Sequence, residues 1–332
     1  MAVNCSMTWN TFKGDIPEPL MQFFLYYCCV ICVVGTICNL VALWCVVSCP
    51  RTNPSVKVLL CALFSTTLLM CLVVMPFMAH LSLGKLWCDR DASKPVLRVL
   101  IHTYVVLTQM ELLYIFVMAL LRALAVWVPQ RGHLKLRTGV AVAVGVGLYN
   151  SSMTALTAAA FWRQIIPRPT RFALLKVYYG VHFLLPVVLT LACYLSTIVA
   201  VRRNKSKLAS SRHAAAVTQV VDEATRAMLA VFISNLLFGL PHSIYHIIPF
   251  DYRVFSYVVM HSIFFTHLYT DPLVFVYFNQ HHRRRVLQAL KFCFGRSSPS
   301  KEATSAVSSH VTQSSSALKS FEEERDKDSL PQ

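Results

Sequence analysis

The most constraining feature of the sequence is a run of thirty almost uniformly apolar residues at positions 99–128, VLIHTYVVLTQMELLYIFVMALLRALAVWV. Only Glu111 and Arg122 carry a formal charge within it. A helix of this length measures about 45 Å, which is enough to cross a hydrocarbon core of about 30 Å with a steep tilt. Glu111 then lies at membrane depth, where a carboxylate costs at least about 2.5 kcal/mol and needs a partner on another helix.

The composition extends this reading to the whole chain. Apolar residues make up 56% of the sequence and charged residues 14%, and the mean hydropathy of +0.54 lies outside the range of ordinary soluble domains. Windows long enough to span a membrane occur at 22–48, 56–81, 97–127, 138–162, 176–201, 223–248 and 254–280. The sequence therefore predicts an all-α membrane protein, a seven-transmembrane helix bundle with its termini on opposite sides.

The distribution of basic residues predicts the orientation. With the N-terminus outside, ten of the 31 Lys and Arg residues fall on outer segments and the other 21 on inner ones. By the positive-inside rule, this predicts a multi-pass plasma-membrane protein with an extracellular N-terminus and a cytoplasmic C-terminus. The same placement accounts for the net charge of +16 without a nucleic-acid partner.

The sequence divides into four predicted segments. Residues 1–21 form an extracellular tail with a glycosylation sequon at Asn4, and residues 22–280 form the bundle. Residues 281–294 predict a basic amphipathic helix on the inner leaflet, where anionic lipid is the expected partner and Cys293 an acylation site. Residues 295–332 predict a disordered, Ser-rich cytoplasmic tail suited to phosphorylation. Most cysteines lie within spans as packing residues, whereas Cys5 and Cys88 lie outside and could pair.

The outer halves of the helices predict a ligand cavity. Pro76, Pro186 and Pro241 interrupt the second, fifth and sixth spans, and interrupted outer halves open space between helices. The side chains projected to line this cavity are Tyr104, Gln109, His182, His242, His246, His261 and Phe265. Four of these are histidines, which allows proton or metal sensing, although a lone histidine is more often a satisfied polar contact.

The order and spacing of several features along the chain resemble those of the rhodopsin-like (class A) G-protein-coupled receptors over about residues 22–294. The features that carry the resemblance are Gly35 and Asn39 in the first span, VVMPF in the second, Arg122 at the inner end of the third, Pro186 with Tyr194 in the fifth, FGLPHS around Pro241 in the sixth, DPLVF around Pro272 in the seventh, and the basic helix that follows. The chain is identified as a divergent, orphan-type member of that family.

The resemblance implies a receptor that transduces an extracellular ligand to heterotrimeric G proteins, with no cofactor and no enzymatic activity. It also implies that arrestin binds the phosphorylated tail. It assigns coupling and activation to Arg122, Tyr194, Asn235, Asp271 and Pro272. It places Gly239 with the outer pocket.

Several family positions differ here. The acid–Arg–Tyr triplet is Leu121-Arg122-Ala123, the tryptophan before the sixth-helix proline is Gly239, and the phenylalanine below it is Asn235. These departures keep a rival hypothesis open, in which the chain is a non-signalling seven-helix decoy, scaffold or receptor partner. An alternative reading of Arg122 itself is an arginine that extends to inner-leaflet phosphates.

The resemblance also implies a mid-membrane polar site made of Asn39, Thr67, Glu111, His267 and Asp271. Two carboxylates at low dielectric do not both ionise without a cation, so a shared proton, His267 or a sodium ion at Glu111 and Asp271 is expected. The two functions left open are a hydrogen-bonded clasp between helices and a proton- or cation-linked switch.

Two outer-pocket residues narrow the ligand class. Tyr104 stands where amine receptors carry an aspartate and Phe265 where opsins carry the retinal lysine, so neither class is expected. The outer segments hold ten basic and five acidic residues. This excess favours an anionic small molecule, lipid or peptide.

Overall fold

Helices form all the regular structure in the described part of the computed structural model, which comprises residues 17–50, 52–87, 94–127, 135–162, 167–208, 212–247 and 254–293. In chain order they are α1 (Glu18–Val47), α2 (Pro54–Leu69, Met70–Val74 and Met75–Leu86), α3 (Lys94–Trp127), α4 (Leu136–Trp162), α5 (Arg168–Tyr179, Gly180–Leu184 and Leu185–Leu208), α6 (Arg212–Ile247), α7 (Val254–Phe265 and His267–Phe278) and α8 (Gln280–Cys293). One unit of the chain ends at Val286 and a second begins at Leu287.

Helices α1 to α6 are each long and apolar enough to cross a membrane. The seventh predicted span is present, but it is not the uninterrupted helix that the sequence predicts, because its two halves meet at Thr266. There the Thr266 amide donates to the Ile263 carbonyl at 3.2 Å, a tighter turn than the α-helix, and the His267 side chain bonds the Phe264 carbonyl. The chain is a multi-pass membrane protein, and the predicted seven-helix bundle is confirmed.

Two of the prolines are preceded by π-helical turns. Proline lacks an amide hydrogen, and its ring clashes with the carbonyl four residues earlier. For Pro76 and Pro186 that carbonyl lies inside the turns Met70–Val74 and Gly180–Leu184, respectively. One extra residue in each turn accommodates the ring. Helix α6 continues through Pro241 without such a turn.

The buried apolar residues form two large clusters separated by a polar layer. We call the end at which α1, α3, α5 and α7 begin the outer end, after the orientation predicted from charge. The inner cluster joins α1, α2, α3, α5, α6 and α7 around Tyr194, Phe232 and Phe275. The outer cluster joins α1, α2, α3 and α7 around Phe24, Met75 and Phe265. Asn39, Glu111 and Asp271 are buried in the sequence intervals between the two clusters.

Close approach of α1 to α2 requires the glycine at position 35. A Cβ atom at Gly35 would meet the Cys71 Sγ atom at 2.5 Å, which is shorter than real contacts allow. The resulting proximity brings Asn39, one turn along α1, within reach of Thr67 on α2.

Candidate functional site

Glu111 is the centre of a polar contact between three helices. Its side chain is 1% exposed. One carboxylate oxygen lies 3.1 Å from the His267 Nε2 atom of α7, and the other accepts a hydrogen bond from the Asn235 amide of α6 at 3.2 Å. The predicted need for a partner at membrane depth is met by a ring nitrogen and an amide together.

The orientation of His267 determines where one proton lies. Its Nδ1 atom faces the Phe264 carbonyl, which can only accept, so Nδ1 carries a hydrogen. A hydrogen bond between Nε2 and Glu111 then holds one proton, either on the ring as an imidazolium–carboxylate pair or on the acid. Both arrangements satisfy the buried carboxyl group without a metal ion.

Asp271 lies one helical turn beyond His267 and is 2% exposed. Ser234 and Asn235 of α6 face its carboxyl group, but neither of its oxygens has a hydrogen-bond partner among the described residues. The structure thus brings Asp271 to the same layer as Glu111 and His267. Nitrogen atoms engage both Glu111 oxygens, so His267 is placed to supply positive charge to that carboxyl group. The sodium ion expected at Glu111 and Asp271 stays a prediction.

Asn39 forms a second polar contact, between α1, α2 and α7. Its amide donates to the Leu268 carbonyl at 2.8 Å and to the Gly35 carbonyl at 2.8 Å, and the Thr67 hydroxyl bonds its side-chain oxygen. Leu268 lies four residues before Pro272, so the missing proline amide leaves the Leu268 carbonyl without its helical donor. The Asn39 side chain supplies that donor.

Arg122 and Tyr194 lie close together at the inner end. Arg122 is half-buried near the end of α3, and Tyr194 of α5 is near enough for an electrostatic interaction between them. The Tyr194 ring stacks on Phe232 of α6 with centroids 5.2 Å apart, while its hydroxyl is buried with no hydrogen-bond partner in the described residues. Helices α5 and α6 are thus packed together directly beside the arginine.

Most of the predicted outer-pocket residues come together in a group that we call the outer histidine cluster: Tyr104, His242, His246 and His261. The Tyr104 hydroxyl lies 3.0 Å from His242 Nε2, and the same nitrogen lies 3.1 Å from His246 Nε2 and 3.4 Å from His261 Nε2. The cluster joins α3, α6 and α7. The Phe265 and Tyr104 rings pack together with their centroids 5.9 Å apart. Gly239 lies on α6, where its carbonyl accepts a hydrogen bond from Ser243 one turn later.

His182 and Gln109 belong to a different group. His182 lies 3.1 Å from the Tyr149 hydroxyl of α4 and stacks on Tyr178, and Gln109 donates to the Tyr178 hydroxyl at 2.6 Å. We predicted that both residues line one pocket with the other histidines. Their contacts place them elsewhere, because each side chain has its hydrogen-bond partners within a contact between α3, α4 and α5.

Sequence reasoning missed several residues that hold these groups in place. Tyr257 directs the ring of His261 through its carbonyl, 2.8 Å from His261 Nδ1, and Phe264 stacks on His242 at 4.2 Å. Tyr257 and Tyr178 each precede a histidine by four residues, and that spacing was a usable signal. Asn4, Cys5, Cys88 and the Ser-rich tail lie outside the described residues, and for Cys293 only the helical backbone is described.

No family model matches the sequence, and no curated protein matches it. A crystal structure of squid rhodopsin superimposes with a TM-score of 0.71 over 84% of this chain and 88% of that one, at 11% sequence identity. The chain has the rhodopsin fold. At this identity, the match establishes the arrangement of helices, and with it the predicted fold of the rhodopsin-like receptors.

The three candidate sites lie on the same set of neighbouring helices. The outer histidine cluster, the Glu111 contact and the Arg122–Tyr194 pair all lie on α3 and on helices packed against it, and each includes or adjoins a residue of α6. The sites therefore occupy three levels of one helical interface.

Proposed function

We propose that the chain is a receptor that carries an extracellular signal to heterotrimeric G proteins at the inner end of the bundle. The observation that supports this most directly is the set of contacts made by α6. His242 of this helix contacts Tyr104, Asn235 contacts Glu111, and Phe232 contacts Tyr194. A single helix that contacts all three levels can transmit a displacement from the outer end to the inner end.

The inner end contains the groups that such a movement would uncover. The stack of Tyr194 on Phe232 holds α5 and α6 together beside Arg122. Separation of the inner half of α6 from α5 would break this stack and expose Arg122 to a partner. The planar guanidinium presents several fixed donors, which suits carbonyl or carboxylate groups of a G-protein helix.

The ligand class is inferred from charge. Basic residues exceed acidic ones in the predicted outer segments by ten to five, and Arg168, Arg171 and Lys176 lie in the first turns of α5. We infer an anionic small molecule, lipid or peptide, attracted by this excess. At the inner side, the phosphorylated tail would recruit arrestin, and α8 would contact anionic lipid.

A second candidate is a seven-helix protein that does not signal and acts as a decoy, scaffold or partner of other receptors. The observation that favours it is Leu121-Arg122-Ala123, in which the arginine lacks the neighbouring acid of the family triplet. Both candidates share the fold and the plasma-membrane location with the N-terminus outside. They differ in whether G proteins respond.

Ligand-free signalling in cells distinguishes the two candidates. We expect the wild-type chain to raise basal activity of at least one G protein in a panel, and Arg122→Ala to abolish it at equal surface level. Leu124→Ala is the matched control, because Leu124 lies two residues along α3 and is 49% exposed on the lipid-facing surface. Equal activity of wild type and Arg122→Ala would contradict the role proposed for the arginine.

A further inference from the structure

We propose that His242, His246 and His261 bind one Zn²⁺ ion through their Nε2 atoms, with the Tyr104 hydroxyl facing the fourth coordination position. The ligand atoms of the three histidines all lie within 4.8 Å of one another. This inference goes beyond the proposed receptor function and does not depend on it, because metal binding is a property of the isolated chain.

The spacing of the nitrogen atoms matches a tetrahedral metal site. A zinc–nitrogen bond of about 2.0–2.1 Å places two nitrogen ligands about 3.3 Å apart at a tetrahedral centre. The His242 Nε2 atom lies 3.1 Å from His246 Nε2 and 3.4 Å from His261 Nε2. Two of the three pairs therefore have the separation that a shared zinc ion requires before any adjustment.

Hydrogen bonding alone does not satisfy this arrangement. The His242 Nε2 atom has three polar neighbours at 3.0–3.4 Å, namely Tyr104 and the other two histidines. A ring nitrogen has one position in the plane of the ring, which holds either a hydrogen or a lone pair, so it makes one good hydrogen bond. A metal ion resolves the conflict, because each of the three Nε2 atoms then directs its lone pair to the ion instead of to another nitrogen.

The surroundings orient the His261 ring for metal binding. His261 Nδ1 donates to the Tyr257 carbonyl at 2.8 Å, which leaves its Nε2 lone pair available. A carbonyl bonded to the second ring nitrogen is the usual outer-shell support of a metal-binding histidine. His242 and His246 lie four residues apart on α6, a spacing that places two imidazoles on one face of a helix for a common ion.

Zinc fits this donor set better than other common ions. Imidazole nitrogen suits Zn²⁺, whereas Mg²⁺ and Ca²⁺ need several oxygen ligands. His246 is only partly buried, while His242 and His261 are buried, so entry would be from the His246 side. The bound ion would join the outer end of α6 to α7.

The test uses the purified full-length chain in lipid nanodiscs. We expect one Zn²⁺ per chain by calorimetry, competed by a chelator, and Co²⁺ in its place should give the visible absorption of a tetrahedral site. Changing one outer-shell group costs about 10–100-fold in metal affinity, so loss of a direct ligand in His246→Gln should weaken Zn²⁺ binding at least about 100-fold. Mg²⁺ and Ca²⁺ should not compete.

Two further variants keep the test decisive. His80→Gln removes an exposed histidine on α2 and should bind zinc as the wild type does. His246→Cys retains a ligand and should add a sulfur-to-cobalt charge-transfer band to the Co²⁺ spectrum. Failure of the wild type to bind stoichiometric zinc, equal affinity in His246→Gln, or a folded His246→Cys without the sulfur band would each overturn the proposal. None of these readouts requires a G protein.

Discussion

Two asparagines, Asn39 and Asn150, are fully buried in α1 and α4 but have opposite surroundings. The Asn39 side chain donates to the Gly35 and Leu268 carbonyls and accepts a hydrogen bond from the Thr67 hydroxyl. The bond to Leu268 replaces the backbone donor that Pro272 lacks. Neither polar atom of the Asn150 side chain has a hydrogen-bond partner among the described residues. The same residue type therefore stabilises one helix contact and adds a desolvation cost at another.

Substituting these two asparagines should give opposite results. We expect Asn39→Leu to lower the free energy of unfolding by about 1–3 kcal/mol, because the buried Leu268 carbonyl of α7 loses its donor. Asn150→Leu should leave stability unchanged or raise it, because it removes an unsatisfied amide from an apolar environment. Thermal unfolding in nanodiscs measures both, and equal destabilisation by the two variants would contradict the contacts described for Asn39.

At the residue scale, the sequence predicts that a buried polar side chain requires a partner better than it predicts which residue that partner is. That Glu111 requires a partner follows from the cost of a carboxylate at membrane depth, and His267 was one of the expected candidates. His267 contacts Glu111 directly, whereas Asp271 has no hydrogen-bond partner among the residues that the structure describes, and this difference depends on the rotation of α7. The break at Thr266 sets that rotation, and hydropathy carries no sign of it.

At the scale of helices, the contact of α3 with α6 and α7 rests on a buried proton-sharing pair. His267 and Glu111 are each 1% exposed at the side chain and lie 3.1 Å apart. Removing one partner of such a pair costs about 3–5 kcal/mol, because the other group is left buried without compensation. The pair joins α3 to α7, and Asn235 adds α6 through the other Glu111 oxygen, so Glu111 holds three helices in register whether or not it also changes protonation during signalling.

The variant Glu111→Gln separates a switch from a clasp. The glutamine preserves size and hydrogen-bonding capacity but cannot exchange the shared proton. We expect the pH dependence of thermal stability and of basal signalling to differ from that of the wild type. If the dependence on pH and on sodium both stayed as in the wild type, the pair would act only as a structural clasp.

The first turn of α8 provides a second pH-dependent element. His282 packs against Phe275 of α7 with ring centroids 5.3 Å apart. Burial, followed by the charges of His281 and Arg285, lowers the pKa of His282 from 6.5 to about 4. Between these values the unfolded chain binds the proton and the folded chain does not, so stability falls as the pH drops from 6.5 to 4.

The variant His282→Phe should remove this part of the pH dependence. We expect the wild-type melting temperature to decline more steeply than that of His282→Phe between pH 6.5 and 4. His80→Gln, which changes an exposed histidine, should follow the wild-type curve. Parallel curves for the wild type and His282→Phe would show that His282 does not titrate as its burial implies.

The helical turns before the prolines are not predicted by the hydrophobic periodicity of the sequence. The sequence predicts that prolines disturb α2, α5 and α6, and it does not indicate that α2 and α5 each absorb an extra residue in a π-helical turn while α6 does not. All three prolines have the same local chemistry, so the sequence pattern alone does not separate the two widened turns from the regular one.

At the scale of the whole molecule, the fold was predictable because a membrane permits few architectures. Seven apolar windows and a charge bias were enough to predict a bundle whose arrangement matches squid rhodopsin at 11% identity. The outer histidine cluster was predictable as a set of residues, but not the convergence of three nitrogens on one point, because that depends on α3, α6 and α7 together. His182, predicted with them, contacts Tyr149 of α4 and Tyr178 of its own helix instead.

Breaking the stack between α5 and α6 should change signalling without changing the outer end. We expect Phe232→Ala to raise ligand-free signalling several-fold, because the Tyr194 ring loses the contact that keeps the two helices together beside Arg122. Leu237→Ala, on the same helix and 65% exposed, is the matched control. Unchanged basal signalling of Phe232→Ala at equal surface level would show that this stack does not hold the inner end closed.

The most direct test of the account is nucleotide exchange on purified G proteins by the purified chain in nanodiscs. We predict that the wild type accelerates exchange on at least one G-protein subtype, that Phe232→Ala accelerates it further, and that Arg122→Ala does not accelerate it. Absence of acceleration by the wild type and by Phe232→Ala across all subtypes, with both proteins folded, would contradict the receptor function and favour the non-signalling partner.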